Sequence, residues 1–137
     1  MSRILVIDDE DSIRKLLKTV LTRKGHDVLL AEGGQKGIDV FGRMRPLVTI
    51  LDLHMPDMNG LEVLARLRTI DPHAGVIILT GYPTDEKLAL ARTLGTNEFL
   101  TKGFALFALG EALKRVTARM GMHFVPAPTP GNDTWGR

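Results

Sequence analysis

The chain contains no cysteine. That excludes disulfide stapling and thiolate metal sites, and it fits a reducing compartment. No apolar run approaches the roughly 18 residues of a membrane span. The short apolar stretch Ile4-Leu5-Val6-Ile7 meets acids at once, which is the wrong pattern for a signal peptide. Cytoplasmic localisation without membrane contact is the expectation. A large excess of one charge is also missing, since 18 Lys and Arg stand against 16 Asp and Glu. The pI near 9.2 reflects only that small surplus and argues weakly for nucleic acid. No internal repeat is visible. What is present is an ordinary globular composition, 44% hydrophobic and 25% charged over 137 residues, enough for one domain with a real core.

Five short apolar runs alternate with five amphipathic segments. Ile4-Leu5-Val6-Ile7 reads as a strand buried on both faces. Ser12 is placed to cap a helix carrying Ile13, Leu16, Leu17, Val20 and Leu21, with Gly25 as its stop. Residues 27–31 read as a second strand, Gly33-Gly34 as a flexible turn, and 35–44 as a helix. A third strand, 47–52, ends in Asp52 and the turn Met55-Pro56-Asp57-Met58-Asn59-Gly60. The next helix turns Leu61, Leu64 and Leu67 inward and Arg66 and Arg68 outward. A fourth strand, 76–79, ends in Thr80-Gly81, and Thr84 caps a helix running to 94. A fifth strand, 97–101, leads to Lys102 and a last helix from about Phe104 to Met120. This alternation predicts an α/β fold with a doubly wound, five-stranded parallel sheet, for which the common strand order is 2-1-3-4-5, the flavodoxin-like (βα)5 arrangement. Residues 1–121 form that domain, and 122–137 read as a Pro-rich linker or C-terminal tail in which Trp135 stands alone.

In such a sheet the ligand crevice opens at the carboxyl ends of the strands. Asp8, Asp9 and Asp52 therefore meet. Three carboxylates in one crevice repel each other, and the usual relief is proton uptake or a hard cation. All-oxygen ligands suit Mg²⁺, with Mn²⁺ able to substitute. Thr80 and Lys102 reach the same crevice, and a hydroxyl beside an ammonium complements a phosphoryl group.

With the acidic pair, Asp52 and its Met-Pro-Asp-Met-Asn-Gly turn, Thr80-Gly81 and Lys102, residues 2–120 resemble the receiver domain of two-component response regulators, with a chemotaxis-regulator-like fold. The resemblance implies that Asp52 accepts a phosphoryl group from a phosphohistidine of a sensor histidine kinase or His-phosphotransfer protein. Asp9, Asp52, the backbone carbonyl of His54, and Asp8 directly or through water would hold Mg²⁺. Thr80 and Lys102 would bind phosphoryl oxygens, and Phe99 stands where receivers often carry a switch aromatic. Gly81 leaves the donor a path, while His54 and Tyr82 flank the route of an attacking water and tune hydrolysis. Such a domain catalyses only its own phosphorylation and dephosphorylation and is not otherwise an enzyme.

The implied partners beyond the phosphodonor are a downstream effector or output domain, without direct nucleic-acid contact. The face of the fourth helix, fifth strand and fifth helix would serve them or a homodimer. Leu90, Phe99 and Phe107 are candidate contacts there, against a reading in which all three are core. One departure stands out: Gly103 follows Lys102 where receivers usually carry proline, so a trans bond and a looser lysine are expected. Two other readings remain. One is a pseudo-receiver that binds partners without phosphorylation. The other is a Mg²⁺-dependent phosphohydrolase of the haloacid dehalogenase kind, built on Asp9-Glu10-Asp11, which leaves Asp52 unexplained.

Overall fold

The computed structural model describes residues 2–96, 98–103 and 106–123, with side chains to 119. The expected contacts of Phe104, Met120 and Trp135 fall outside the described residues or side chains. The elements run β1 (Arg3–Ile7), α1 (Asp11–Arg23), β2 (Asp27–Ala31), α2 (Gly34–Met44), β3 (Val48–Asp52), α3 (Gly60–Ile70), β4 (Gly75–Thr80), α4 (Asp85–Thr93), β5 (Glu98–Thr101) and α5 (Leu106–His123). The strands form one parallel sheet in the expected order, β2-β1-β3-β4-β5. Among the described residues no helix is long and apolar enough to cross a membrane.

Strand side chains alternate between two cores, because successive residues of a strand point to opposite faces. Leu5, Ile7, Leu51 and Ile78 pack with Ile38 and Phe41 of α2, Val63, Leu64 and Leu67 of α3, and Ala91 of α4. Ile4, Val6, Ile50, Ile77 and Leu79 face the other way, onto Leu17 and Leu21 of α1 and Leu109, Leu113 and Val116 of α5. Fully burying a large apolar side chain is worth about 1.5–3 kcal/mol. By that measure α4, which buries only Ala91, is the least anchored of the helices with fully described side chains.

Several local expectations are corrected. Helix α1 begins at Asp11 with Glu10 at its N-cap and no side-chain cap, so Ser12 lies inside the first turn. Its core stripe centres on Leu17 and Leu21, which leaves Leu16 at the edge and 43% exposed. Gly33-Gly34 is not a flexible turn: both residues are buried, and a Cβ on Gly34 would lie 2.8 Å from Met58 Cβ. The Asp57 carboxylate accepts from Gly34 N (3.1 Å) and Gln35 N (3.2 Å), capping α2 from the β3–α3 loop. Those backbone hydrogen bonds hold the Asp57 carboxyl below its ordinary value.

Arg68 does not point outward either. Its guanidinium is half-buried and donates to the carbonyls of Leu94 (2.6 Å), Ala74, Pro72 and Gly95 and to Thr96 Oγ1. Burial lowers its pKa. The end of α3 is thereby tied to the start of β4 and to the turn after α4. Thr84 does cap α4, accepting from Lys87 N at 3.2 Å. On the opposite side of the sheet's edge, Glu98 of β5 is buried between Arg115 and Arg119 of α5. Burial works to raise its carboxyl, but the two guanidiniums outweigh it and hold it low.

Gly60 fixes the loop that follows β3. A Cβ there would lie 2.4 Å from Leu53 Cα and 2.6 Å from the Asp52 carbonyl oxygen, backbone atoms that cannot step aside. Gly60→Ala should therefore destabilise the domain by about 1–3 kcal/mol, the usual cost of overpacking. Urea unfolding tests this, and an unchanged midpoint would show that the loop yields freely.

Candidate functional site

The register gathers four strand ends at one lip of the sheet. Ile7 pairs with Leu51, so Asp8 and Asp52, one step further on each strand, come side by side. Asp52 in turn pairs with Leu79 of β4, and Thr80 pairs with Thr101, so Thr80 and Lys102 follow at the same level. Asp8, Asp9 and Asp52 each offer a carboxylate oxygen, and all lie within 4.8 Å of one another. Asp8 and Asp52 are buried and Asp9 is exposed.

Backbone groups aim the two buried acids. Asp8 Oδ1 accepts from Glu10 N at 2.8 Å, while its carbonyl takes Arg14 Nη1 at 2.8 Å. Asp52 Oδ1 accepts from His54 N at 3.0 Å. Its other oxygen, Oδ2, takes the Lys102 ammonium at 3.1 Å. That ammonium also reaches Asp8 at 3.3 Å and makes a close contact with Glu10 Oε1. Asp8 Oδ2 is buried without a hydrogen-bonding partner; Lys102 lies near enough for charge attraction but not in hydrogen-bonding geometry.

Burial dominates the titration of both acids. It raises the Asp8 carboxyl from 3.8 to about 6, against the lowering pull of Glu10 N–H, with the neighbouring Asp52 charge adding to the rise. Burial likewise raises Asp52, opposed by His54 N–H and by Lys102. For Lys102, burial alone would favour the neutral amine. The bonds to Glu10 and Asp52 and the field of Asp8 and Asp52 outweigh it, so its pKa is raised. Lys102 is thus firmly held, contrary to the looseness expected from Gly103. Gly103 has φ +92°, a conformation that glycine adopts without strain, and there is no cis peptide among the described residues.

The remaining expected residues are distributed around this cluster. Thr80 is buried; its Oγ1 accepts from Tyr82 N at 3.2 Å and makes no bond to Asp52. Gly81 is open, with only Lys102 Cδ near a hypothetical Cβ, at 3.7 Å. The His54 and Tyr82 rings meet edge to face at 5.1 Å, at the mouth of the crevice. Phe99 is half-buried against the α2–α4 side core, with the Arg92 guanidinium 5.1 Å above its ring. Leu90 and Phe107 are exposed, at 47% and 78%, so they are not core. Sequence reasoning missed Glu10, Asp57 and Lys87. Glu10 continues the acidic run after β1 and was legible as such; Asp57 and Lys87 act on partners far away in sequence. Lys87 Nζ contacts His54 Nε2.

The Asp8 shift has a definite consequence for stability. Its folded pKa, about 6, lies above the ordinary 3.8, so the folded chain holds this proton more tightly than the unfolded one. The resulting stabilisation is complete below pH 3.8 and lost as pH rises through about 6. Measured by urea unfolding without divalent cations, stability relative to Asp8→Asn should fall across that window. The difference isolates Asp8 from Asp57 and Glu98, whose depressed carboxyls act with the opposite sign. A difference that stays flat would contradict the assignment.

Comparison with known proteins points to one family and the same fold. The family model described as "Response regulator receiver domain" matches residues 4–114. Sporulation initiation phosphotransferase F of Bacillus subtilis is 32% identical over 113 residues, covering 82% of this chain and 91% of that protein. Transcriptional regulatory protein TrcR of Mycobacterium tuberculosis is 34% identical over 117 residues, covering 85% of this chain but only 46% of its relative. Among solved structures, a response regulator receiver domain protein from Clostridium thermocellum superposes with a TM-score of 0.84 at 32% identity, covering 90% of this chain and all of the other. By that family model and those relatives, this chain belongs to the receiver domains of two-component response regulators, the phosphorylation switches of that signalling system.

Proposed function

We propose that Asp52 is the phosphoacceptor, taking a phosphoryl group from the phosphohistidine of a sensor histidine kinase or a His-phosphotransfer protein. One observation carries this reading. Asp52 is a buried carboxylate at the common lip of the strands, with an ammonium on one oxygen, an N–H on the other and two further acids within 4.8 Å.

In that reading an Asp52 oxygen attacks phosphorus as the P–N bond of the donor breaks, and the bond's electron pair leaves with the imidazole. His54 N–H and Lys102 orient the carboxylate for the attack. Lys102 then serves a phosphoryl oxygen. The Thr80 hydroxyl accepts from Tyr82 N, so its own proton remains to donate to a second oxygen. Around Asp52 stand the acids Asp8, Asp9 and Glu10, and among the described residues one ammonium, Lys102, pairs with this group, reaching Asp8, Glu10 and Asp52. A hard divalent cation fits that surplus and the orphaned Asp8 Oδ2. Mg²⁺, or Mn²⁺ in its place, would be held by Asp9, Asp52, the His54 carbonyl and Asp8, the last directly or through water. When bound it would neutralise charge developing on the phosphoryl oxygens.

The phosphoryl group adds up to about two negative charges beside Thr80 and Lys102. Drawing Thr80 toward it moves the β4–α4 loop, and Phe99 follows as the switch aromatic. Converting a 1:99 equilibrium into 99:1 requires about 5.5 kcal/mol of preference, within reach of a few charge-assisted hydrogen bonds. The output is the α4-β5-α5 face, offered to an effector, an output domain or a second copy, without direct nucleic-acid contact and in the cytoplasm. Residues 122–137 serve as the linker or tail.

Incubation with acetyl phosphate and Mg²⁺, followed by intact mass, tests this reading. Wild type should gain one phosphoryl group, and Asp52→Asn none. Label kept in Asp52→Asn but lost in Asp9→Asn would favour a phosphohydrolase, and no label in any variant a pseudo-receiver.

A further inference from the structure

Lys87 turns to an imidazole instead of an acid. It sits in the first turn of α4, its backbone N–H fixed by the Thr84 cap, and its side chain is half-buried. It makes no ion pair among the described residues, although Asp85 and Glu86 precede it directly. Consecutive residues of a helix do not face each other, so those acids leave it free to cross to the β3–α3 loop. There Nζ meets His54 Nε2. His54 is itself held on three sides. Its backbone N–H is on Asp52 Oδ1, its backbone bridges to Asn59, and its ring packs edge-on against Tyr82 at 76°.

The chemistry of that contact assigns the ring. An ammonium has three protons to give and no lone pair to offer. Nε2 is therefore the acceptor, and the proton of the neutral imidazole is on Nδ1. Both nitrogens are then spent: one lone pair is covered by Lys87 and the other nitrogen already carries hydrogen. Such a ring can donate a hydrogen bond but cannot take a proton from water. This matters because His54 lies two residues from the acceptor, where with Lys87 it lines an open groove of about 870 Å³.

From this we propose that Lys87 is a positioning residue that withholds His54 from acting as a general base, and so prolongs the life of phosphorylated Asp52. The proposal rests on Asp52 being the phosphoacceptor. In hydrolysis, water's oxygen bonds to phosphorus while the P–O bond to Asp52 breaks. The bond's electron pair returns to the carboxylate, and water's proton goes to a base or to the departing phosphate. With Nε2 covered, His54 is not that base. Removing the ammonium uncovers the Nε2 lone pair, and the ring becomes able to take the proton.

Two readouts test this on the full chain. Two-bond proton–nitrogen correlation NMR of the unphosphorylated protein should show His54 as the Nδ1–H tautomer in wild type and in Lys87→Arg. In Lys87→Met it should shift toward the Nε2–H form that free histidine prefers. After labelling with acetyl phosphate and Mg²⁺, Lys87→Met should lose its phosphoryl group faster, up to roughly a hundredfold. Lys87→Arg should restore the wild-type lifetime, and Lys87→Met should have no effect in a His54→Leu background. An Nε2–H tautomer in wild type, an unchanged lifetime in Lys87→Met, or equal acceleration without His54 would each overturn the proposal. Should Asp52 take no label at all, the phosphoacceptor reading fails, while the tautomer measurement still decides the Lys87 contact.

Discussion

Asp8 and Asp52, both withdrawn from solvent, share the ammonium of Lys102, which arrives from the far strand of the sheet and touches Glu10 as well. Burying one unpaired carboxylate is costly, and burying two side by side is worse. The arrangement is tenable because the order β2-β1-β3-β4-β5 brings the ends of β1 and β3 together and sets β5 close enough for a long side chain to reach back. Even so, one cation does not balance the acids. Both buried carboxyls are pushed up, and that imbalance is the property from which cation and phosphoryl binding follow.

The machinery around this centre is held unevenly. The β3–α3 loop is tied at several points: Gly60 packs on the backbone of Leu53, Asn59 Oδ1 caps α3 at Leu61 N, and Asp57 crosses to α2. Helix α4 is different. It buries only Ala91, and its connections are polar and near its ends, Lys87 to His54 at one and the Arg68 clamp beyond the other. A helix with little apolar burial and polar fastenings is the element most readily displaced when the crevice changes charge. It carries the exposed Leu90 and adjoins the half-buried Phe99, so a movement there alters the face proposed for partners.

Most of the fold was legible because a parallel sheet covered on both faces writes itself as short continuous apolar runs, here 4–7, 48–51 and 76–79. The site acids were legible because they end those runs. Where reading failed, the partner was distant in sequence or the side chain had two natures. Asp57 looks like a turn residue, yet its carboxylate serves a helix start 23 positions earlier. Arg68 fits an outward helical position, but its guanidinium finds open carbonyls at the ends of α3 and α4. Gly103 suggested a slack lysine, because backbone constraint was the only restraint visible in sequence. The actual restraint is charge, supplied by residues 92 and 94 positions away and by Asp52.

The dependence of both buried acids on one ammonium is most directly measured by carboxyl-carbon NMR titration without divalent cations, in wild type and Lys102→Met. In wild type, Asp8 should titrate near 6 and Asp52 above the ordinary 3.8, with the two curves coupled. Loss of the ammonium should move both further up. Titration of either acid at its ordinary value in wild type, or midpoints that do not move in Lys102→Met, would contradict the account.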